Sequence, residues 1–471
     1  MIMKKILSIS LFLASALTFV GCSGEEEDLF NGSAAERLND ASAIYSARLT
    51  AQPNGWAMQY YPTYDNEAPN GKGYLLLTRF NKDFTVDVSG YDWPYWSYEK
   101  TSTEVNATEE WVAHYYNEYR EATSFWEVIT DNGPVLSFNS YNENMHYFSD
   151  PDFRETGTGF GGDYEFIVVD APDDASYMML KGKKRGTYNL LTPIEEGIVY
   201  ADYMADVKGF HNSKFPVNEL VSNLVHFGDS VYRMDGSNDG LPNIYPYDAD
   251  AITNENFNPF LITKRGDDYY LRFRDPFERD DMEGVLQELR FDPEADKFVG
   301  VDNADFQITG YNPALFIQEK VMSGSKFQFN SKSVFSDKVK VYYDKLTSDF
   351  ADLPKINKRS YSFMGFNFVY DSKSESYLWN VLFRVPSSSN TSSASFIVNL
   401  TREDTNFKME YGGPLDDAAT SISERLPYII EAVKALCQEF KVTPVISNFN
   451  LSQLRLTSVS DPDFWFEFNV Q

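Results

Sequence analysis

After Pro53-Asn54-Gly55 the apolar residues change their spacing from every third or fourth position to every second position, and they keep it through most of the chain. Before that break, Ala34, Leu38, Ala41, Ile44, Tyr45 and Leu49 recur at helical intervals. Ser33 and Glu36 stand ahead of them at capping-box spacing, which predicts a helix over Ser33 to Gln52. Beyond it, Trp56, Met58 and Tyr60 share one face of a strand. Tyr74, Leu76 and Phe80 mark a second strand whose other face carries Leu75 and Leu77. Phe84, Val86 and Val88 alternate with Thr85, Asp87 and Ser89, and Asn81-Lys82-Asp83 supplies the tight turn between these last two. Further strands read at 125–130, 135–139, 164–169 and 177–181. Strands joined by turns this short pair antiparallel, so the pattern predicts a helix followed by a meander, as a curved sheet or a partly closed barrel.

A connecting helix is expected over residues 193–208. From about 210 to 260 the chain is rich in Asn, Asp, Gly and Pro, which predicts a domain boundary or a long ordered loop. Strand patterns return at 269–274, 286–291, 363–370, 377–385, 395–400 and 408–411. A long amphipathic helix follows, its stripe running through Leu415, Ala419, Ile422, Leu426, Ile429, Val433, Leu436 and Phe440. Pro427 interrupts that stripe and predicts a kink or two short helices. The fold class read from the sequence is α+β, mainly antiparallel β. The expected organisation is a signal peptide at 1–21, an acidic tether at 22–32, an N-terminal helix-plus-sheet domain at 33–225, and a C-terminal α+β domain at 226–471.

Composition narrows the function classes. The chain has 41 Lys and Arg against 70 Asp and Glu, a net charge of -29. That balance argues against nucleic acid as a partner, because neutralising phosphates takes clustered cations. Two cysteines exclude a disulfide scaffold and a four-cysteine zinc site. The four histidines are scattered and no H-E-x-x-H occurs, which excludes a zincin and leads to an expectation of no cofactor beyond calcium.

The first residues carry an address. Met3-Lys4-Lys5 precedes an apolar run from Ile6 to Val20, shorter than the about 20 residues that span a bilayer. The run ends Phe19-Val20-Gly21-Cys22, which is similar to a bacterial lipobox in which the cysteine is acylated, although Phe19 stands where Leu is usual. Acyl chains convert a soluble protein into an anchored one. Glu25, Glu26, Glu27 and Asp28 follow directly. Four acids in a row stay extended as a tether. The same acids resemble a surface-export signal of Bacteroidota lipoproteins.

Larger segments add a family. These are Ser33 to Leu38, Asn54-Gly55-Trp56 through Pro62, Gly73 to Phe80, Pro134 to Asn142, His146 to Pro151, Gly161-Gly162-Asp163-Tyr164-Glu165-Phe166, and Leu180-Lys181-Gly182-Lys183-Lys184. Together, from the lipobox to about residue 195, they resemble the Bacteroidota lipoprotein family called domain of unknown function 4302. The resemblance implies an outer-membrane, cell-surface location in the company of nutrient-uptake systems. It brings no activity, ligand or catalytic residue.

Candidate sites rest on local chemistry. Tyr91-Asp92-Trp93-Pro94-Tyr95-Trp96-Ser97-Tyr98 packs five aromatics around a proline. Exposed, Trp93, Tyr95 and Trp96 would make a stacking platform for sugar or peptide; buried, they would plug the sheet. His146 would act as a ligand or base with Glu143, Asp150 or Asp163 beside it, or else tie down a loop. Asp235, Ser237 and Asp239, with Gly240, have the spacing of half a calcium loop, though Pro246 stands where the bidentate glutamate belongs. Gly157 to Gly162 lacks the lysine and helix of a phosphate loop, Lys181 to Arg185 reads as a solvated strand end, and Cys437 reads as a buried, inert thiol. The leading expectation is a non-catalytic surface lipoprotein binding a glycan, peptide or protein partner in nutrient acquisition. The alternatives are a secreted hydrolase, which would show paired buried carboxylates in a deep cleft, and a structural subunit of an envelope complex, which would show a large exposed apolar patch. If Cys22 is the acylation site, Cys22→Ser moves the protein out of the membrane fraction or leaves it unprocessed; normal membrane retention of that variant would refute the anchor.

Overall fold

The computed structural model describes residues 33–63, 71–100, 109–131, 133–151, 159–215, 223–247, 256–355, 360–386, 389–403 and 405–470. The opening helix, α1 (Ala34–Leu49), begins as its sequence predicts: the Ser33 hydroxyl takes the Glu36 amide while the Glu36 carboxylate takes the Ser33 amide. The indole N–H of Trp56 donates to the last helical carbonyl, that of Leu49, at 2.9 Å, and so ties the helix to the strand that follows.

That strand starts a nine-stranded antiparallel sheet in the middle of its own order. Its members are β1 (Trp56–Tyr60), β2 (Tyr74–Phe80), β3 (Thr85–Lys100), β4 (Glu109–Phe125), β5 (Glu127–Thr130), β6 (Pro134–Ser137), β7 (Glu165–Asp170), β8 (Met178–Gly182) and β9 (Tyr188–Pro193). The order is β4-β3-β2-β1-β9-β8-β7-β6-β5, so the chain runs outward to one edge, appears next at the other, and returns to lie beside β1. Only Trp126 separates β4 from β5, although they are opposite edges of the sheet. One residue can join two edges only if the sheet curls until they approach. Trp126 is buried at that gap, edge-on to Phe80 at 5.1 Å.

Two expectations change here. The aromatic stretch around Pro94, where a proline argues against a regular central strand, is the continuation of β3, paired with β4 as far as Lys100. Pro94 is tolerated because β2 pairs with β3 only over Val86–Ser89, so beyond Gly90 one side of β3 needs no ladder N–H. Residues 210–260 are not chiefly a loop either. After α2 (Tyr200–Lys214) they carry β10 (Asn223–Phe227), β11 (Ser230–Asp235) and β12 (Asn243–Pro246), strands short enough for their Asn/Asp/Gly turns to dominate the composition.

These join β13 (Phe260–Arg265), β14 (Asp268–Phe277), β15 (Leu286–Asp292), β16 (Lys297–Gly300) and β17 (Phe306–Gly310) in a second, eight-stranded sheet of order β12-β11-β10-β17-β16-β15-β14-β13. Its core also takes in Tyr200, Tyr203, Met204 and Val207 of α2 and, from the back of the first sheet, Ala57 and Leu77. Trp56, Met58, Tyr60, Tyr74 and Leu76 meanwhile face the first core. The central strands β1 and β2 therefore carry apolar residues on both faces, which is why Leu75-Leu76-Leu77 breaks the alternation.

The remaining strands form a closed barrel. They are β18 (Phe327–Phe329), β19 (Ser362–Asp371), β20 (Ser376–Arg384), β21 (Thr391–Glu403), β22 (Asn406–Pro414), β23 (Glu439–Pro444), β24 (Gln453–Ser458) and β25 (Trp465–Val470), with β18 pairing β25 to close the circuit. Residues 226–471 thus hold most of one sheet and a whole barrel rather than a single β-rich half. Four helices belong to this part: α3 (Pro313–Met322), α4 (Asp337–Asp352), α5 (Asp417–Arg425) and α6 (Tyr428–Ala435). The expected long C-terminal helix is replaced by α5 and α6, because Pro427 has no N–H to continue the first and serves as the N-cap of the second. The stripe is buried from Ala419 through Ile422, Leu426, Ile429, Val433, Leu436 and Phe440, but its expected first member, Leu415, lies before α5 and is exposed. Burial pushes the Cys437 thiol beside it up to about 12, so it is inert at neutral pH.

The barrel meets the second sheet through the loop after β23. Phe449 inserts into the second core, 5.8 Å from Phe298, and the Asn448 amide donates to Asp296 at 2.7 Å. The backbones nearly touch: a Cβ on Gly310 would lie 1.7 Å from the Asn448 carbonyl oxygen. Gly310→Ala is therefore expected to lower stability by about 1–3 kcal/mol, the usual cost of overpacking. A urea melt checks it, and an unchanged midpoint would contradict so close an approach.

Candidate functional site

The curl of the first sheet, the second sheet and α2 leave a recess of about 450 Å³ where they converge, within the range of small-ligand sites. Each wall has a local reason. The β3–β4 ladder slips between Gly90 and Asp92, and from there Asp92 lies directly opposite Asn117, so both side chains point the same way. On α2, Met204, Val207, Lys208 and His211 recur at helical spacing and turn one face to the recess, apolar in its first turns and polar in its last. The start of β2 brings Lys72, and β13 brings Phe260, Leu261 and Ile262. A 3-10 turn at Ser237–Asp239 brings Asp239.

The polar groups form a connected set. The Lys208 ammonium donates to Asp92 at 2.8 Å and to Asn117 at 2.7 Å, and it sits 4.1 Å from the Tyr91 ring centre. The Lys72 ammonium lies 3.8 Å from the other Asp92 oxygen, with only 15% of its side chain exposed. Burial pushes the Lys72 pKa below the usual lysine value; Asp92 and Asp239 pull it back, and Lys208 adds to the depression. His211 is pushed down to about 4, first by burial, with the Lys72 charge acting in the same direction. At neutral pH it is an uncharged imidazole, able to donate at one nitrogen and accept at the other. The recess thus offers two ammonium groups, two carboxylates and a neutral ring above a floor of Met204, Val207, Phe260 and Ile262.

The candidate site residues of the sequence lie elsewhere, apart from Asp239, although Tyr91, Asp92 and Gly240 of the same two motifs also line the recess. Trp93 is fully buried, edge-on to Tyr147 at 5.7 Å, and its indole N–H donates to the Glu118 carbonyl at 3.1 Å. It belongs to the core and not to an exposed platform. Tyr95 is half-buried and stacks on Tyr116 at 4.2 Å and His114 at 5.2 Å. Of Trp96 only the backbone is described, in β3 opposite Ala113; its side chain lies outside the described residues, as does that of Trp111. His146 opens a 3-10 turn, its Nδ1 accepting the Asn142 amide at 3.1 Å and its ring stacked on Tyr164 at 4.6 Å, with its pKa lowered by burial. These contacts fasten the loop from Asn142 to His146. Ser237 is buried, taking a bond from Asn223 at 3.1 Å and donating to the Met234 carbonyl at 3.3 Å. Asp235 accepts the Tyr245 hydroxyl. Among the described residues, no group of three or more His, Cys, Asp or Glu is placed to hold a metal ion. Glu25 to Asp28, Cys22 and residues 157–158 lie outside the described residues.

Of the segments that carry the family resemblance, Gly73 to Phe80 brings Gly73, Tyr74 and Leu75 to the recess, and those around Asp163 are structural. The Asp163 carboxylate accepts the amides of Lys184 at 3.0 Å and Arg185 at 2.9 Å, pinning the turn after β8. A Cβ on Gly182 would stand 2.2 Å from it. The Tyr60 hydroxyl donates to the Asp163 carbonyl and accepts its amide. The model of domain of unknown function 4302 matches residues 26–293, more than half the chain and well past the segments just described. The chain belongs to that family. The match covers every residue lining the recess and stops before the barrel. No curated protein matches the chain. Among solved structures, a putative DNA polymerase III beta subunit from Eubacterium rectale aligns over 91% of this chain and 97% of its own, at 7% identity and a TM-score of 0.13. A DNA polymerase sliding clamp from Pseudomonas aeruginosa aligns over 93% and 97%, at 9% identity and the same TM-score of 0.13. Scores that low carry no argument.

Lys72, Asp92, Lys208 and His211 were not identifiable in the sequence as a site. Asp92 lay unremarked inside the aromatic stretch, and the others are ordinary surface-type residues far apart in the chain. Because Trp93 is core, Trp93→Ala is expected to destabilise the protein by about 3–5 kcal/mol, the range for a buried tryptophan truncation. A thermal melt within error of the parent would return Trp93 to the surface.

Proposed function

We propose that the protein is a lipid-anchored binding protein on the outer face of the outer membrane, holding a small ligand in the recess between its first two sheets as an accessory to nutrient uptake. The observation that carries this reading is the recess itself, a pocket of ligand size in which charged groups have been taken from water and arranged around an apolar floor. Burying charge costs free energy, and a fold keeps such groups where they meet another molecule more readily than where they meet nothing. The anchor at Cys22, the acidic run Glu25 to Asp28 and the family resemblance support the location. No helix among the described residues is long and apolar enough to cross a membrane.

Binding is favoured over hydrolysis by the company that Asp92 keeps. A hydrolytic pair needs two carboxylates facing a bond, one of them free to give a proton. Asp92 is instead the shared acceptor of two ammonium groups. The reading is tested by native mass spectrometry of the full chain, carrying Cys22→Ser for solubility, after incubation with the fraction of spent growth medium below about 1 kDa. A non-covalent adduct that disappears in Lys208→Met, with both proteins melting alike, is the expected result. Adducts that are equal in the two proteins, or absent from both, would sink the proposal.

A further inference from the structure

We infer that the protein has a second binding site, for a neutral oligosaccharide, in the cleft that Tyr141, His146 and Tyr164 border beside β6 and β7; the inference stands apart from the recess and does not depend on what the recess holds. Three observations carry it.

The first is a fixed set of rings whose outer members are open. The His146 ring stacks on Tyr164 at 4.6 Å and lies 5.2 Å from Tyr141. Tyr141 is nevertheless 61% exposed and Tyr164 42%. Both are held in place: the Tyr164 carbonyl accepts the Phe138 amide at 3.1 Å, and the Tyr141 hydroxyl donates to Asp150 at 3.4 Å. Other exposed tyrosines are covered, Tyr116 by Tyr95 at 4.2 Å and Arg120 at 5.3 Å, and Tyr188 by Lys181 at 5.3 Å. Rings that are fixed and left open give the C–H face of a sugar a stacking surface at little entropic cost.

The second is the lining. Two hollows, of about 660 and 520 Å³, share Ser149, Pro151, Tyr164 and Glu165, so Tyr164 borders both. Around the rings the larger hollow presents the Ser137 and Ser149 hydroxyls and the Asn139 amide. His146 adds a donor. Its Nδ1 accepts the Asn142 amide and burial lowers its pKa, so the neutral ring carries its proton on Nε2. That N–H meets no acceptor among the described residues. The apolar side chains of the lining are Pro151 and the buried Phe138, too few to hold an aliphatic group. Flat faces ringed by hydroxyl, amide and imidazole groups suit a molecule whose own hydroxyls surround a flat C–H face.

The third is charge. The two hollows are lined by Asp150, Asp163 and Glu165 and by Lys183, Lys184 and Arg185. The protein already uses several of them: Lys183 lies 2.8 Å from both Asp131 and Glu165, and the Asp163 carboxylate accepts the amides of Lys184 and Arg185. Three groups of each sign leave no net charge for an ionic ligand to match. The net charge of -29 on the whole chain repels a polyanion. An uncharged ligand is the one this lining fits.

The test uses the full chain with Cys22→Ser in isothermal titration. Cellohexaose, maltohexaose, xylohexaose and mannohexaose are the neutral probes, and hexagalacturonate is the acidic one. At least one neutral hexamer is expected to bind, and its disaccharide to bind about tenfold more weakly, because the shorter chain cannot reach both hollows. Tyr164→Ala should weaken the hexamer about tenfold or more while melting like the parent, since the ring is exposed. Tyr164→Phe keeps the ring and should bind like the parent. If Tyr164→Ala does not fold, Tyr141→Ala makes the same test from the other side of His146. Lys208→Met should bind the hexamer as the parent does. The inference is overturned if no neutral hexamer binds, if hexagalacturonate binds more tightly, or if the disaccharide binds as well as the hexamer. It is overturned equally if Tyr164→Ala binds like the parent, or if Tyr164→Phe loses as much as Tyr164→Ala. Loss of the hexamer in Lys208→Met with none in Tyr164→Ala would put the sugar in the recess, overturning this site while supporting that one.

Discussion

Strands β1 and β2 are buried on both faces, and the position of nearly everything else follows from that. Trp56, Met58, Tyr60, Tyr74 and Leu76 fill the inside of the first sheet, while Ala57 and Leu77 reach into the core behind it. A sheet with an apolar back has to be covered. Here the cover is α2, whose Tyr200, Tyr203, Met204 and Val207 make a stripe shared with the second sheet. The helix is thereby fixed between two sheets, with Lys208 held by Asp92 and Asn117 of the first and His211 set against Phe260 of the second. The recess is what remains at that edge.

The electrostatics of the recess depend on the same arrangement. On the surface, an ammonium and a carboxylate are worth little to each other, because water screens them. Asp92 and Lys208 are partly withdrawn from water and are held by Asn117 and Tyr91 as well, so their geometry is set by neighbours on three elements. The large negative charge of the whole chain therefore says little about this place. An acidic surface keeps the protein soluble and repels other acidic surfaces. The recess carries equal numbers of each sign, and its preference is decided by which group stands where.

The parts of this architecture that could be read from the chain are those in which a local pattern decides the outcome. The capping box of α1, the alternation in the first strands and the buried stripe of the C-terminal helices are of this kind. Pro94 and Pro427 show the limit. Each proline argues for an interruption, and Pro427 does divide a helix, whereas Pro94 sits inside a long strand. The difference lies in a neighbour: β3 has lost β2 by the time it reaches Pro94, a fact of pairing that no local window contains. Strands β10 to β12 were hidden for a related reason, since in short hairpins the turn residues outnumber the strand residues. The site was hidden most thoroughly. Trp93 drew notice because tryptophan is conspicuous, but a large ring next to other large rings is best satisfied in a core. Lys72 and Lys208 are unremarkable as sequence, because a lysine becomes unusual only when its surroundings exclude water, and those surroundings are brought together by the fold from several elements.

Of the segments by which the family is recognised, Gly73 to Phe80 brings Gly73, Tyr74 and Leu75 to the recess, while those around Asp163 fix the frame. Asp163 holds the backbone of the turn after β8, Tyr60 braces Asp163, and Gly182 keeps clear so that the carboxylate can approach. Replacing any of them would disturb how β7, β8 and β1 meet. Among the lining residues, Lys208 itself ties α2 to β3 and β4 through Asp92 and Asn117. The family match spans both the frame and the recess, so membership in the family establishes the frame and leaves the ligand to be argued from the recess. For this chain that argument turns on two ammonium groups, two carboxylates and a neutral ring set around an apolar floor.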